Sequence, residues 1–198
     1  MKKRTKPRGA ARAPSLPARR SCFCTAWGCS RGSVECVRLE SVDGQFVDIA
    51  VTSYQFSGGQ SSSNDVDWDA NWLMIRGKAW DGVQSWEFHD PCMTTWEARE
   101  LASWLRGLVN ANSQTVAAAD PEEVRLWLTE PNLMFMLAAT SQGIVTLDVY
   151  FDAESRPPGG SNDDEDGLGH KVRLMIPQAD VAAVVGAWEQ DLIAFPTR

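Results

Sequence analysis

Two Asp-Gly pairs, Asp43-Gly44 and Asp81-Gly82, decide most of what this chain can become. Each lies between two runs of strand-type residues, and Asp-Gly is the dipeptide that best tolerates the left-handed backbone of a tight hairpin. The first pair follows "VRLESV" (37–42), which alternates apolar and polar residues. It precedes "QFVDIAVTSYQF", where Val47, Ile49 and Val51 share one face at period two. Around the second pair, "NWLMIRGKAW" (71–80) and "VQSWEFHD" (83–90) read as partners, so an antiparallel meander is predicted. Trp72 and Trp86 on those partner strands are candidates for a cross-strand stack.

A helix follows. Thr94 and Glu97 fit a capping box, in which each side chain satisfies a free backbone donor of the other residue. Leu101, Trp104, Leu105 and Leu108 then recur at i, i+3, i+4 and i+7, one apolar stripe for a sheet. Past a linker from Asn110 to Pro121 come "VRLWLTE" (124–130) and "LMFMLAAT" (133–140), joined at Pro131-Asn132. Gln142-Gly143 leads into a clean alternation of Val145, Leu147, Val149 and Phe151, and "KVRLMI" (171–176) adds a strand. Pro177 opens a last helix with Val181, Val184, Val185, Trp188 and Leu192 on its buried stripe. Trp104 and Trp188 are assigned to the core. The order predicts an α+β fold, a mostly antiparallel sheet of about six to eight strands with two amphipathic helices packed on it. No internal sequence repeat is evident, although each half ends in a Trp-bearing helix.

Charge divides the chain. Residues 1–32 carry nine Lys/Arg and no carboxylate, which leaves ten basic and 26 acidic residues from Ser33 onward, a net charge of −16. The expectation is a basic, disordered extension over 1–32 and a single domain over 33–198. The apolar stretch after Arg19-Arg20 is too short for an export signal, whereas the Arg-rich composition also matches an organellar transit peptide. No run of about 18 apolar residues is present, so a membrane helix is not expected. The acidic body repels nucleic acid and favours a basic protein partner. Five cysteines at 22, 24, 29, 36 and 92 lack the paired spacing of common zinc sites, and they point to a reducing cytoplasm.

The stretch "DVDWDANWLMIRGKAW" (65–80) concentrates aspartates, yet it fails as a calcium loop. Asp65, Asp67 and Asp69 occupy positions 1, 3 and 5, but Ala70 stands where the sharp-turn glycine is needed and Arg76 where a bidentate glutamate closes the shell. These carboxylates read as a hydrated approach to a strand in preference to an acid/base pair. His89 and Cys92 offer an H-x-x-C pair near a helix start, against which stand the neighbouring Asp90 and Glu97 and the reading of Cys92 as a small buried hydrophobe. No G-x-S-x-G, P-loop or G-x-G-x-x-G occurs. No cofactor, metal site or catalytic residue is assigned.

The blocks "SYQF", "DWDANWLMIRGKAW", "DPCMTTWEARELASWL", "TEPNLMF" and "VYFDAESRPP", spread over about residues 34–196, resemble the WapI-type immunity proteins of bacteria. The part from Trp68 to Leu105 is the most specific. The resemblance implies a non-enzymatic cytoplasmic protein that blocks the toxic C-terminal domain of a secreted polymorphic toxin, a tRNA nuclease in the founding pair. It transfers no contact residues. The candidate partner surface comes from charge alone: Asp65, Asp67 and Asp69, or the acidic loop Asp163, Asp164, Glu165 and Asp166, facing a basic toxin domain, with no direct nucleic acid or membrane contact. Two other readings stay open: a small acid- or metal-dependent hydrolase using Asp65, Asp67 or His89, and a regulatory interaction module.

Overall fold

The computed structural model describes residues 36–57, 67–112, 120, 123–159 and 167–198. The first half runs β1 (Val37–Glu40), β2 (Phe46–Tyr54), β3 (Trp72–Trp80), β4 (Ser85–Thr94) and α1 (Thr95–Val109). The second runs β5 (Arg125–Trp127), β6 (Leu133–Ser141), β7 (Ile144–Phe151), β8 (His170–Pro177) and α2 (Gln178–Leu192). Each set of four strands forms its own antiparallel sheet in sequential order. Among the described residues the α+β fold is therefore present with eight antiparallel strands and two helices, the strands shared between two sheets. The described elements form a tandem ββββα repeat. Its sequence hides this because alternation and turn chemistry, not particular residues, define a meander.

Local chemistry explains the elements. Gly44 and Gly82 take φ of 94° and 97°, the left-handed values that the Asp-Gly turns require. Asp81 Oδ1 accepts from the backbone N–H of Val83 and Gln84, both at 2.8 Å, and so closes its own turn. Opposite Phe88 on β3 stands Gly77, where a Cβ would lie 2.0 Å from the phenyl ring. Glycine there makes a seat for Phe88. The strand β4 continues through Pro91, four residues beyond the boundary read from sequence. Pro91 lies on the edge strand beside a register shift, where a missing N–H breaks no regular ladder. Thr94 thus ends the strand and caps the helix at once, and both bonds of the capping box form.

One continuous core joins both sheets and both helices. Leu101, Leu105 and Leu108 of α1 are buried, as are Val181, Val184, Val185, Trp188 and Leu192 of α2. Trp188 is 1% exposed and donates from Nε1 to the Ala98 carbonyl at 2.8 Å, fastening the helices together. Trp104 meets the core assignment in part, packed against the core without being enclosed by it. It is half-buried at the margin, with Nε1 bonded to the Glu123 carbonyl. The expected Trp72–Trp86 stack does not form, because Trp72 pairs with Thr94 and Trp86 with Ala79, at opposite ends of the antiparallel ladder. Trp86 instead packs edge-on against Phe151 of the second sheet, with ring centroids 5.1 Å apart.

The two units also meet through polar groups. Val42 N–H donates to the Met175 carbonyl at 2.9 Å, which joins the end of β1 to β8. His170 Nε2 lies 2.9 Å from Asp81 Oδ2, and Trp86 Nε1 donates to the Ser155 carbonyl at 2.8 Å. Either side of the β1–β8 junction stands a bidentate cross-strand ion pair. Arg38 grips Asp48 and Arg173 grips Asp148, every contact at 2.7 Å. Asp148 is fully buried.

Candidate functional site

The acidic approach to β3 is a folded turn. Asp67 Oδ1 accepts from the Ala70 N–H at 3.1 Å, and Asp69–Asn71 forms one turn of 3-10 helix with Trp68 at its cap. Asn71 is fully buried and uses its whole amide. Nδ2 donates to the carbonyls of Asp67 and Arg198, and Oδ1 accepts from Thr95 Oγ1 and the Arg198 N–H. Satisfying all four positions of a buried amide makes this knot rigid. It holds Trp68 outward, 60% exposed, with its ring 4.9 Å from that of Trp96 on the first turn of α1.

The second unit supplies the opposite wall. In β5, Leu126 points inward and the neighbouring Trp127 outward, 48% exposed. Trp68, Trp96 and Trp127, with Thr94, Glu97, Glu100, Leu128 and Thr129, line an open groove of about 460 Å³. The buried Glu97 spans it. Oε2 accepts from Thr94 N–H at 2.7 Å and Thr94 Oγ1 at 2.8 Å, while Oε1 accepts from the Thr129 N–H. Glu100 is exposed on the next turn, and among the described residues no Lys or Arg lines the groove. An aromatic floor, an acidic rim and a fixed frame are features of a protein-binding surface.

Of the carboxylates singled out by sequence, Asp67 and Asp69 border this groove through Trp68, Asp67 as a turn cap and Asp69 exposed. Asp65, Asp163, Asp164, Glu165 and Asp166 lie outside the described residues, as do Cys22, Cys24 and Cys29. His89 and Cys92 do not meet. His89 faces solvent and hydrogen-bonds Thr52 Oγ1 at 2.9 Å, whereas Cys92 is fully buried on β4 with Sγ toward the Asp90 carbonyl. Burial, reinforced by the charge of Asp90, pushes the Cys92 thiol up to about 12 despite an opposing contact from Asn132. Such a thiol is inert at neutral pH. Among the described residues, no three His, Cys, Asp or Glu side chains come together to hold a metal ion, and no helix is long and apolar enough to cross a membrane.

The blocks that carried the resemblance converge in space. Asn132, from "TEPNLMF", reaches Cys92 of "DPCM" at 3.9 Å. Its carbonyl accepts from the Asp152 N–H at 3.0 Å and from Ser155 Oγ, both of "VYFDAESRPP". Tyr54 of "SYQF" donates to the Pro196 carbonyl. The sequence model of the WapI-like immunity protein family matches residues 38–196. The chain belongs to the WapI-like immunity protein family. No match was found among curated proteins or among solved structures. In this WapI-like chain the quoted blocks include the residues that lock one unit to the other and present Trp68.

The tryptophans of the groove were missed by reasoning from charge. A signal for one of them was present. Trp68 between Asp67 and Asp69 alternates as a buried strand residue also would, and only the turn that Asp67 caps places it outward. Trp127 alternates with Leu126 and Leu128, so a strand that buries both leucines must expose it.

Proposed function

We propose that this protein binds the toxic C-terminal domain of a cognate secreted polymorphic toxin in the cytoplasm and neutralises it by stoichiometric occlusion, without catalysis. Membership of an immunity family across residues 38–196 carries this reading. The net charge of −16 from Ser33 onward supports a basic partner, and a nuclease surface that binds phosphate has that character. In this reading residues 33–198 are the binding domain and 1–32 a basic extension. The acidic groups Asp65, Asp67, Asp69, Asp163, Asp164, Glu165 and Asp166 contribute to the field that steers the toxin inward.

Co-expression with the toxin domain encoded immediately upstream tests this directly. Growth rescue with a co-purifying complex is expected. Persistent toxicity without a complex would overturn the proposal. Reversing the charges of both acidic segments should slow association and flatten its salt dependence; unchanged kinetics would remove those residues from the encounter surface.

A further inference from the structure

The nine tryptophans of the chain are not used alike. Trp86 and Trp188 are buried, while Trp72, Trp80, Trp96 and Trp104 are half-buried. The two most exposed among the described residues, Trp68 at 60% and Trp127 at 48%, come from different units and line the same groove. Leaving two indoles in water forgoes burial that folding would otherwise use, so their shared placement asks for an occupant.

Both are held in place before any partner arrives. The Asp67 cap and the Asn71 knot fix Trp68, and the strand pairing of Trp127 with Met134 fixes the other wall. Glu97 ties the walls together at Thr94 and Thr129. A rigid aromatic surface loses little freedom on binding, which is what gives aromatic anchors their weight in interfaces.

The chemistry of the rim selects the occupant. Glu100 is exposed in the groove, Asp67 and Asp69 flank Trp68, Glu130 follows Thr129, and among the described residues no Lys or Arg lines the groove. A guanidinium satisfies both halves of this surface at once, since it stacks on an indole face and pairs with a carboxylate through two parallel N–H groups. Lysine offers a point charge without the flat face.

We infer that the Trp68–Trp96–Trp127 groove is the docking surface for the toxin domain, and that its occupant is an arginine-bearing segment whose guanidinium stacks on Trp68 or Trp127 and pairs with Glu100. This rests on the immunity reading and adds the surface and the residue type that reads it.

Affinity for the upstream-encoded toxin domain should be measured by calorimetry with the full chain and three variants, each checked for an unchanged melting curve. Trp68→Ala with Trp127→Ala should weaken binding at least 100-fold, and Glu100→Arg at least tenfold, as expected for central anchors. Glu154→Lys, an exposed charge reversal on the 3-10 turn after β7, should stay within threefold. A wild-type complex with the double tryptophan variant within threefold overturns the groove while the immunity reading stands. Equal losses for Glu100→Arg and Glu154→Lys overturn it in favour of a diffuse field. Absence of any wild-type complex removes the immunity reading and the groove together. Within the toxin, Arg→Lys at the docked position should reproduce most of the loss; full retention would overturn the arginine assignment.

Discussion

Glu97 on α1 holds the backbone N–H of Thr129, 32 residues further along the chain, while its other oxygen holds Thr94. One carboxylate therefore caps a helix and ties the two ββββα units together. The residue is buried, and its two carboxyl oxygens accept three hydrogen bonds from uncharged donors.

Replacing Glu97 tests this double duty. Glu97→Gln keeps an oxygen for the Thr94 N–H but turns an amide donor toward the Thr129 N–H. A loss of about 1–3 kcal/mol is expected, the cost of a buried donor left without an acceptor. Glu97→Ala also removes the cap, which adds about 1 kcal/mol. Urea unfolding measures both. Equal stability for Glu97→Gln and wild type would show that the Thr129 contact contributes nothing.

Arg173→Ala leaves Asp148 fully buried without the guanidinium that grips it. Breaking such a pair costs about 3 kcal/mol, toward the low end for buried pairs because the Arg173 side chain is 56% exposed to screening water. The double variant Asp148→Leu, Arg173→Met should recover most of that stability, since the orphaned charge is gone. A cycle in which the two losses simply add would refute the pairing argument.

The turn carboxylates make stability fall in acid. Burial acts to raise Asp81, but the N–H groups of Gln84 and Val83 and the contact with His170 outweigh it and leave the carboxyl below its ordinary value. Asp152 behaves likewise: burial raises it, and Ala153 N–H and Arg156 win. Unfolded carboxylates protonate at about 3.9, so below that value the unfolded state binds more protons and stability falls as pH falls. Asp81→Asn should be less stable than wild type at neutral pH and show a shallower decline below about pH 4. Parallel stability curves across that window would rule Asp81 out.

How legible was this molecule? Strand positions, both turns at Gly44 and Gly82, the Thr94–Glu97 box and both helix stripes follow from local chemistry, and local chemistry is written residue by residue. Division into two sheets was not legible, because alternation in β5 to β8 specifies a face and not which neighbour shares it. Trp72 and Trp86 show the same limit, since their separation depends on register. The acidic stretch near Trp68 was visible as charge, but the part Asp67 plays as the cap of the turn that holds the indole outward was not. That depends on Asn71 meeting Thr95 and Arg198, a contact across 127 residues to Arg198 that no window of sequence contains.

The repeat carries a consequence for timing. Trp68 and Trp96 leave the ribosome with the first unit, but Trp127 and Thr129 belong to the second, and the Arg198 contact with Asn71 waits for the last described residue. A nascent chain stopped after α1 lacks one wall of the groove and the clasp that steadies the other. Whatever engages all three tryptophans therefore recognises only chains in which both units have folded, and copies stopped after the first unit stay out of competition for it.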